Sequence, residues 1–305
     1  EPQGEYDLRC ALADYVRERR NVVTAPEHIV VGAGVQMLLE ILCVLLKGRR
    51  TVSFPDGSFV QGSTVFAAHG YTVRTRYKDA DIIYVSPSHM NRQGDVMPIQ
   101  RRLELCAHSA DTGAVVIEDD FENDFLYSST PTPSLYALGS GNVVYMGAFS
   151  ALLLPGIRIS FMVLSPALAA AYHQMKDTFA QTASKTEQIA LCAYLRDGNM
   201  KSRTKKIRRL YTGKAKTLCT LLAKALPDHP VRVGENGLQV QIETPMLPDS
   251  APFEQAGLAL YIVKEKSGKN IVVVSPSAVP ADRLEEAAHA VAAALYKAEE
   301  AAKAK

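Results

Sequence analysis

The chain has no tryptophan, only five cysteines among 305 residues, and no large excess of charge of one sign. None of the cysteines forms a Cys-x-x-Cys pair, which argues against a zinc site or a disulfide framework and favours a reducing compartment. The net charge of +2 gives no electrostatic argument for a nucleic-acid partner. No apolar run reaches the roughly 18–20 residues that a membrane span needs. We therefore expect a cytoplasmic protein with no membrane segment and no bound metal.

Apolar residues make up 47% of the chain and charged residues 22%, which is enough to bury a large core. Up to about Pro166, short β-branched runs are separated by helical stretches. This predicts an α/β fold with a mostly parallel sheet covered on both faces. We predict a large domain over residues 1–200 and a smaller α+β domain over residues 201–305 that includes a long connecting helix. Because the first residue is Glu1 and not Met, we expect the chain to begin inside a longer natural protein.

Three polar or glycine-rich points fall at predicted strand ends, where open α/β sheets bind ligands. A strand, the turn Gly32-Ala33-Gly34 and an apolar helix form the layout that binds a phosphate at a helix N-terminus. Asp119 ends an apolar strand. It is either a buried carboxylate that contacts a ligand, a helix cap, or part of a surface acid cluster. Arg158 follows Ser150 and either pairs with a phosphate through its planar guanidinium or lies at a strand edge. Local sequence leaves these alternatives open.

Five segments occur in an order that resembles one known family. They are the opening Glu1-Pro2-Gln3-Gly4, the turn Gly34-Val35-Gln36, Ser86-Pro87-Ser88-His89, Glu118-Asp119-Asp120-Phe121, and the stretch from Gly147 to Arg158. Together they resemble the fold-type-I aminotransferase superfamily, whose members use pyridoxal 5′-phosphate (PLP). More narrowly, the chain is similar to the aminotransferase-like effector domain of MocR-type (GntR family) transcription regulators. The resemblance implies a fold-type-I PLP-dependent transferase fold, a homodimer, and a large domain that is trimmed at its N-terminus in this chain.

The resemblance also implies a role for individual residues. Asp119 would face the ring nitrogen of PLP, which must stay protonated for the ring to act as an electron sink. Phe59 would stack on the ring, and Asn91 and Phe121 would lie near its phenolic oxygen. The phosphate would be held by Gly34, Val35, Gln36, Ser150 and Arg158.

Several positions depart from the family pattern. Ala151 stands where the family has the lysine that forms the Schiff base, so no covalent anchor and no catalytic residue are expected. Phe121 replaces a tyrosine, Ala148 replaces a hydroxylated residue, and Gln61 replaces an arginine. The strand Ile271–Val274 lacks the arginine that often binds the substrate carboxylate. Neither Lys176 nor Lys185 matches an anchoring position.

These features together imply a ligand-sensing effector domain of a MocR-like regulator without transaminase turnover. Any PLP is expected to bind non-covalently, and the effector is expected to be an amine or amino acid. A PLP-dependent aminotransferase and a cofactor-free dimerisation domain are the alternatives. DNA would be contacted only through an N-terminal domain absent from this chain. The basic stretch Lys201–Lys216 fits the solvated face of a helix better than a DNA site, because it has few aromatics and no DNA-reading motif.

Overall fold

The computed structural model describes residues 1–91, 94–120, 133–139, 141–154, 156–246, 248–264 and 270–303. The chain divides into two compact units. The first holds most of the chain up to Thr204, and the second holds Lys205–Lys305 together with the short segment Asn91–Val96. No helix among the described residues is long and apolar enough to cross a membrane. All five cysteines are free, with Cys10 and Cys219 half-buried and the other three buried.

The first unit is built on a seven-stranded sheet. Its strands are β1 (Ile29–Gly32), β2 (Thr51–Phe54), β3 (Thr72–Thr75), β4 (Ile82–Val85), β5 (Val115–Asp119), β6 (Val143–Ala148) and β7 (Ser160–Val163). Their spatial order is β1-β7-β6-β5-β4-β2-β3. The run from β3 through β2, β4 and β5 to β6 is parallel, whereas β7 is antiparallel to both β6 and β1. The predicted mostly parallel sheet is confirmed.

Helices cover both faces of this sheet. They are α1 (Tyr6–Arg20), α2 (Val35–Leu45), α3 (Val60–Ala68), α4 (Ile99–Thr112), α5 (Leu135–Leu138), α6 (Pro166–Met175) and α7 (Lys185–Arg196). On one face, Leu38 and Leu42 of α2 pack in the main core with Ile117 of β5. On the other face, Val116 packs in a smaller cluster with Cys106 of α4 and Leu135 of α5. Burial on both faces explains why the strands read as continuous apolar runs.

Helix α8 (Asn199–Ala225) ends the first unit and begins the second. The second unit contains an antiparallel sheet in the order β10-β11-β9-β8. Its strands are β8 (Val231–Val233), β9 (Val240–Thr244), β10 (Tyr261–Lys264) and β11 (Asn270–Val274), and its helices are α9 (Ala251–Gln255) and α10 (Leu284–Lys303). Leu218 and Leu222 of α8 pack with Leu295 of α10 in the core of this unit.

Candidate cofactor-binding site

The end of β5 and the residue after it carry three consecutive carboxylates that point to opposite faces of the sheet, because side chains alternate along a strand. Ile117 packs in the core beside α2, and Val116 packs in the cluster with α4 and α5. By this alternation Asp119 lies on the α2 face, whereas Glu118 and Asp120 lie on the α4 face. The three acids therefore belong to two different environments.

Asp119 is only 6% exposed and is bound by a phenol from the neighbouring strand. The hydroxyl of Tyr84, on β4, donates a hydrogen bond to Oδ2 of Asp119. Tyr84 pairs with Ile117 in the sheet register, which places it on the same face as Asp119. Burial and the nearby Asp119 carboxylate raise the pKa of Tyr84 well above its ordinary value, so the phenol keeps its proton. Asp119 is thus a buried carboxylate and not part of a surface acid cluster.

The ring of Tyr84, whose hydroxyl binds this carboxylate, packs with two phenylalanine rings. The ring of Tyr84 lies 5.0 Å from that of Phe54 and 5.3 Å from that of Phe59, measured between centroids. Phe54 and Phe59 meet edge to face at 6.5 Å. Phe59 is half-buried and precedes α3, where the hydrogen atom of Gly62 leaves room for its ring. The structure therefore joins Phe59 to Asp119 through Tyr84, a residue that the sequence analysis missed.

A second group of predicted residues meets at the start of α2. Gly34 is the N-cap of this helix with a φ of +96°, and no side chain caps the helix. A Cβ atom on Gly34 would lie 2.5 Å from Nη2 of Arg158, so the guanidinium packs directly against the glycine. Arg158 makes no ion pair with any of the residues described. An uncapped helix N-terminus and an unpaired arginine together form an arrangement suited to an anion.

The connection between β6 and β7 carries Ser150, Ala151 and Arg158. Its ends are joined by a hydrogen bond from the backbone N–H of Phe149 to the carbonyl of Ile159 at 3.2 Å. Ser150 is half-buried and Ala151 is exposed. Arg203 at the start of α8 donates to the carbonyls of Leu152 and Leu153 at 2.9 and 3.2 Å. The connection is therefore fixed at both its ends and its middle.

A buried ionic network occupies the opposite face of β5. Arg20, at the end of α1, contacts Asp120 through Nε at 2.6 Å and Nη2 at 3.3 Å. Ser88 and Tyr145 each donate to the same carboxylate at 2.8 Å. A buried carboxylate is stable only with a cation or several hydrogen-bond donors. These contacts therefore explain why the carboxylate of Asp120 can be buried. The Ser88 contact also ties the end of β4 to the end of β5.

Glu118 lies in the same network and is fully buried. Its two oxygens accept hydrogen bonds from the backbone N–H groups of Leu135 and Tyr136 at 2.9 and 3.0 Å. Burial, and then the charge of Asp120, raise the pKa of Glu118 to about 7, although Arg20 lowers it. The Glu118 carboxyl therefore holds its proton to a higher pH than a carboxyl in water does.

The structure describes three of the four remaining residues that the sequence analysis expected to contact PLP. Val35 and Gln36 are the first two residues of α2, beside Gly34 and Arg158. Asn91 belongs to the second unit, where its amide donates to Asp95 at 2.7 Å. Phe121 lies outside the described residues. The roles proposed for all of these residues toward PLP stay predictions.

The model of one protein family, Aminotransferase class I and II, matches residues 1–282. The chain belongs to this family. It is 30% identical over 288 residues to the uncharacterized HTH-type transcriptional regulator YdeL of Bacillus subtilis, covering 90% of this chain and 60% of YdeL. It is 34% identical over 255 residues to the HTH-type regulator YhdI of the same organism, covering 79% of this chain and 54% of YhdI. The chain therefore spans little more than half the length of these curated relatives.

Solved structures agree on the fold. The crystal structure of LysN, an alpha-aminoadipate aminotransferase from Thermus thermophilus, matches with a TM-score of 0.77 and 22% identity. The match covers 98% of this chain and 83% of LysN, which was crystallised with N-(5′-phosphopyridoxyl)-L-leucine. The fold-type-I PLP-dependent transferase fold predicted from the sequence is confirmed.

Proposed function

We propose that this chain is the ligand-sensing effector part of a bacterial transcription regulator and that it binds PLP, or a PLP–amine adduct, without transaminase turnover. Its similarity to two HTH-type regulators supports the regulatory part of this proposal. One observation carries the rest. The residues suited to the phosphate and the pyridine ring are present, whereas the lysine position of the family holds Ala151.

The phosphate half of the site fits PLP best. A dianionic phosphate is stabilised by a helix N-terminus and by the planar guanidinium of an arginine. Gly34 lets Arg158 lie against the start of α2, since a Cβ there would collide with the guanidinium. Ser150 lies on the same connection as Arg158 and can add a hydroxyl donor. These residues would hold the phosphate and fix the direction in which the ring extends.

The ring half of the site has a carboxylate and an aromatic surface. Asp119 would accept a hydrogen bond from the protonated ring nitrogen, and the hydrogen bond from Tyr84 to Oδ2 keeps the Asp119 carboxylate in place. The half-buried ring of Phe59 would cover one face of the pyridine and exclude water from it. Bound PLP supplies an aldehyde that reacts with amines, so the effector that we propose is an amine or amino acid.

The lack of a lysine at position 151 limits the chemistry that the site can support. Ala151 offers no amine to bind the cofactor covalently or to move a proton on a bound substrate. The charge-assisted contacts of Asp119 and Arg158 remain, and such contacts are roughly twice as strong as neutral hydrogen bonds. We therefore expect weak, reversible binding in a homodimer. A homodimer without PLP is the outcome that the dimerisation-domain alternative predicts, and an aminotransferase would show turnover.

A titration of the purified chain with PLP, followed by absorbance between about 300 and 500 nm, tests binding. The variant Ala151→Lys tests the geometry, because a lysine there would reach a bound aldehyde. After borohydride reduction, mass spectrometry should find label at residue 151 at PLP concentrations that leave other lysines unlabelled. Ala170→Lys is the control, since Ala170 is exposed on α6, a helix that carries none of the proposed PLP contacts. Equal labelling of the two introduced lysines would contradict the proposed cofactor site.

Turnover is measured separately with a panel of amino acids and oxoacids. Rates on the order of 1 per second or more would show an enzyme and contradict the sensing proposal. If the wild type binds no PLP in calorimetry and Ala151→Lys takes no label, the cofactor-free alternative replaces it. Light scattering at micromolar concentration reports the oligomeric state, and a monomer would contradict the homodimer.

A further inference from the structure

Helix α8 concentrates the basic charge of the chain. Its 27 residues include nine of the 34 Lys and Arg and none of the 32 Asp and Glu. The rest of the chain is therefore net acidic, although the total charge is only +2. The nine cations are Lys201, Arg203, Lys205, Lys206, Arg208, Arg209, Lys214, Lys216 and Lys224. The chain therefore combines a low total charge with one strongly basic helix, α8.

Five of these cations lie on one exposed side of the helix. With 3.6 residues per turn, they fall within an arc of about 100° that extends along about 28 Å of the helix. All five are exposed, whereas the opposite side of α8 is buried in the core of the second unit. We call this surface the α8 basic face, formed by Lys205, Lys206, Arg209, Lys216 and Lys224.

The cations at the start of this face have no counter-charge among the described residues. Lys205, Lys206 and Arg209 form no ion pair there, whereas Lys201 pairs with Glu18 at 2.8 Å. Lys205 and Arg209 are four residues apart, a spacing at which like charges repel in a helix. A solvated helix face ordinarily alternates Glu with Lys at this spacing, and α8 does not. The surface therefore has the composition of a binding site for a polyanion.

We infer that the α8 basic face docks on the phosphate backbone of duplex DNA without reading its sequence. DNA carries about one negative charge per 1.7 Å of its axis, so a row of cations about 28 Å long can lie against many phosphates. The relatives YdeL and YhdI are named HTH-type transcriptional regulators, so DNA is the polyanion that we expect their chains to contact. This contact would add to sequence reading elsewhere and would revise the expectation that DNA is reached only through another domain.

Two other polyanions fit the surface less well. A membrane-binding helix inserts an apolar face beside its basic one, but the apolar side of α8, including Leu218 and Leu222, is buried in the core. An acidic protein segment would gain from apolar anchors, and Leu210 is the one large apolar side chain of α8 that is exposed. Phosphates need neither feature. The inference does not depend on PLP binding.

The test is fluorescence anisotropy of a labelled duplex of about 30 base pairs and arbitrary sequence, titrated with the whole 305-residue chain at 50–200 mM salt. The variant K205Q/K206Q/R209Q removes three cations without disturbing a described ion pair. Each lost phosphate contact should lower the slope of log K against log salt by about one. We expect the slope to fall by about three and the affinity at 100 mM salt to fall at least about 10-fold.

The control variant K47Q/R74Q/K78Q lowers the net charge by the same amount at exposed positions of the first unit. It should bind DNA with nearly wild-type affinity and slope. Thermal melting of both variants checks that each is folded, and unchanged PLP absorbance checks that the α8 variant keeps the other site. A wild type that binds no duplex at 50 mM salt, or equal losses in both variants, would overturn the inference.

Two competitors identify a different occupant. Phosphatidylcholine vesicles with about 30% phosphatidylserine, and polyglutamate, are titrated at the same ionic strength and charge concentration. Weaker binding to both than to the duplex supports the DNA assignment. If either competitor binds more tightly than the duplex, and K205Q/K206Q/R209Q loses that binding, the DNA assignment is wrong.

Discussion

The substitution Tyr84→Phe removes one hydroxyl and keeps the ring that packs against Phe54 and Phe59. The lost interaction is a buried hydrogen bond to the carboxylate of Asp119. Hydrogen bonds to charged groups contribute about 1.5–3 kcal/mol, so we expect the free energy of unfolding to fall by about that amount. Because the hydroxyl stabilises the ionised carboxylate, the pH below which PLP binding is lost should be higher in the variant than in the wild type.

Urea unfolding measures the first effect, and PLP titrations between pH 5 and 9 measure the second. Tyr71→Phe is the matched control, since the hydroxyl of Tyr71 is also buried and donates to a neutral carbonyl, that of Cys43, at 2.9 Å. It should cost about 0.5–1.5 kcal/mol and leave the pH profile of PLP binding unchanged. If Tyr84→Phe behaves like this control in both assays, Tyr84 has no special relation to Asp119 and the proposed ring contact loses its support.

Two further substitutions test the phosphate turn and the buried acids. Gly34→Ala should weaken PLP binding and destabilise the protein, because the new Cβ would displace Arg158; Gly48→Ala shares the positive φ, at +113°, but meets no atom within 4 Å. Equal PLP affinities in these two variants would contradict the phosphate assignment. Glu118→Gln removes a carboxyl whose pKa rises from 4.5 to about 7 on folding. Folding therefore takes up a proton between these values, and wild-type stability should fall relative to the variant by about 3 kcal/mol as the pH rises from 4.5 to above 7. Chemical unfolding at several pH values measures this difference, and parallel curves for the two proteins would refute the assignment.

The fold was largely accessible from the sequence because its elements are strongly patterned. The apolar run after Gly34 predicts a helix over 35–46, and α2 covers Val35–Leu45. Boundaries were less accurate where capping decided them. The pattern predicts a helix over 168–180, whereas α6 covers Pro166–Met175, because the Ser165 side chain caps it through the N–H of Leu168 and Pro166 suits the first turn.

The candidate site shows where a linear pattern stops being informative. Gly34, Asp119 and Arg158 could be found because each stands at a strand end in a motif with a chemical reason. Tyr84 could not, since its bond to Asp119 joins residues 35 positions apart and depends on which strands are neighbours. Arg20 lies 100 positions from Asp120, its partner. The one signal for Tyr84 in the sequence was the alternation of side chains along β4. This alternation places Tyr84 on the same buried face of the sheet as Ile82.

The two alternatives without an anchor, a PLP sensor and a cofactor-free dimerisation domain, make different physical demands on the residues that remain. The acids Glu118 and Asp120 are balanced by Arg20 and by several donors, so they would be retained for stability alone. Gly34 and Arg158 are different, because a guanidinium and the positive end of a helix dipole lie together with no carboxylate between them among the described residues. Two positive groups in contact repel each other, and a dianion bound to both would offset that repulsion. This arrangement favours the sensor, since a domain that only dimerises gains nothing from it.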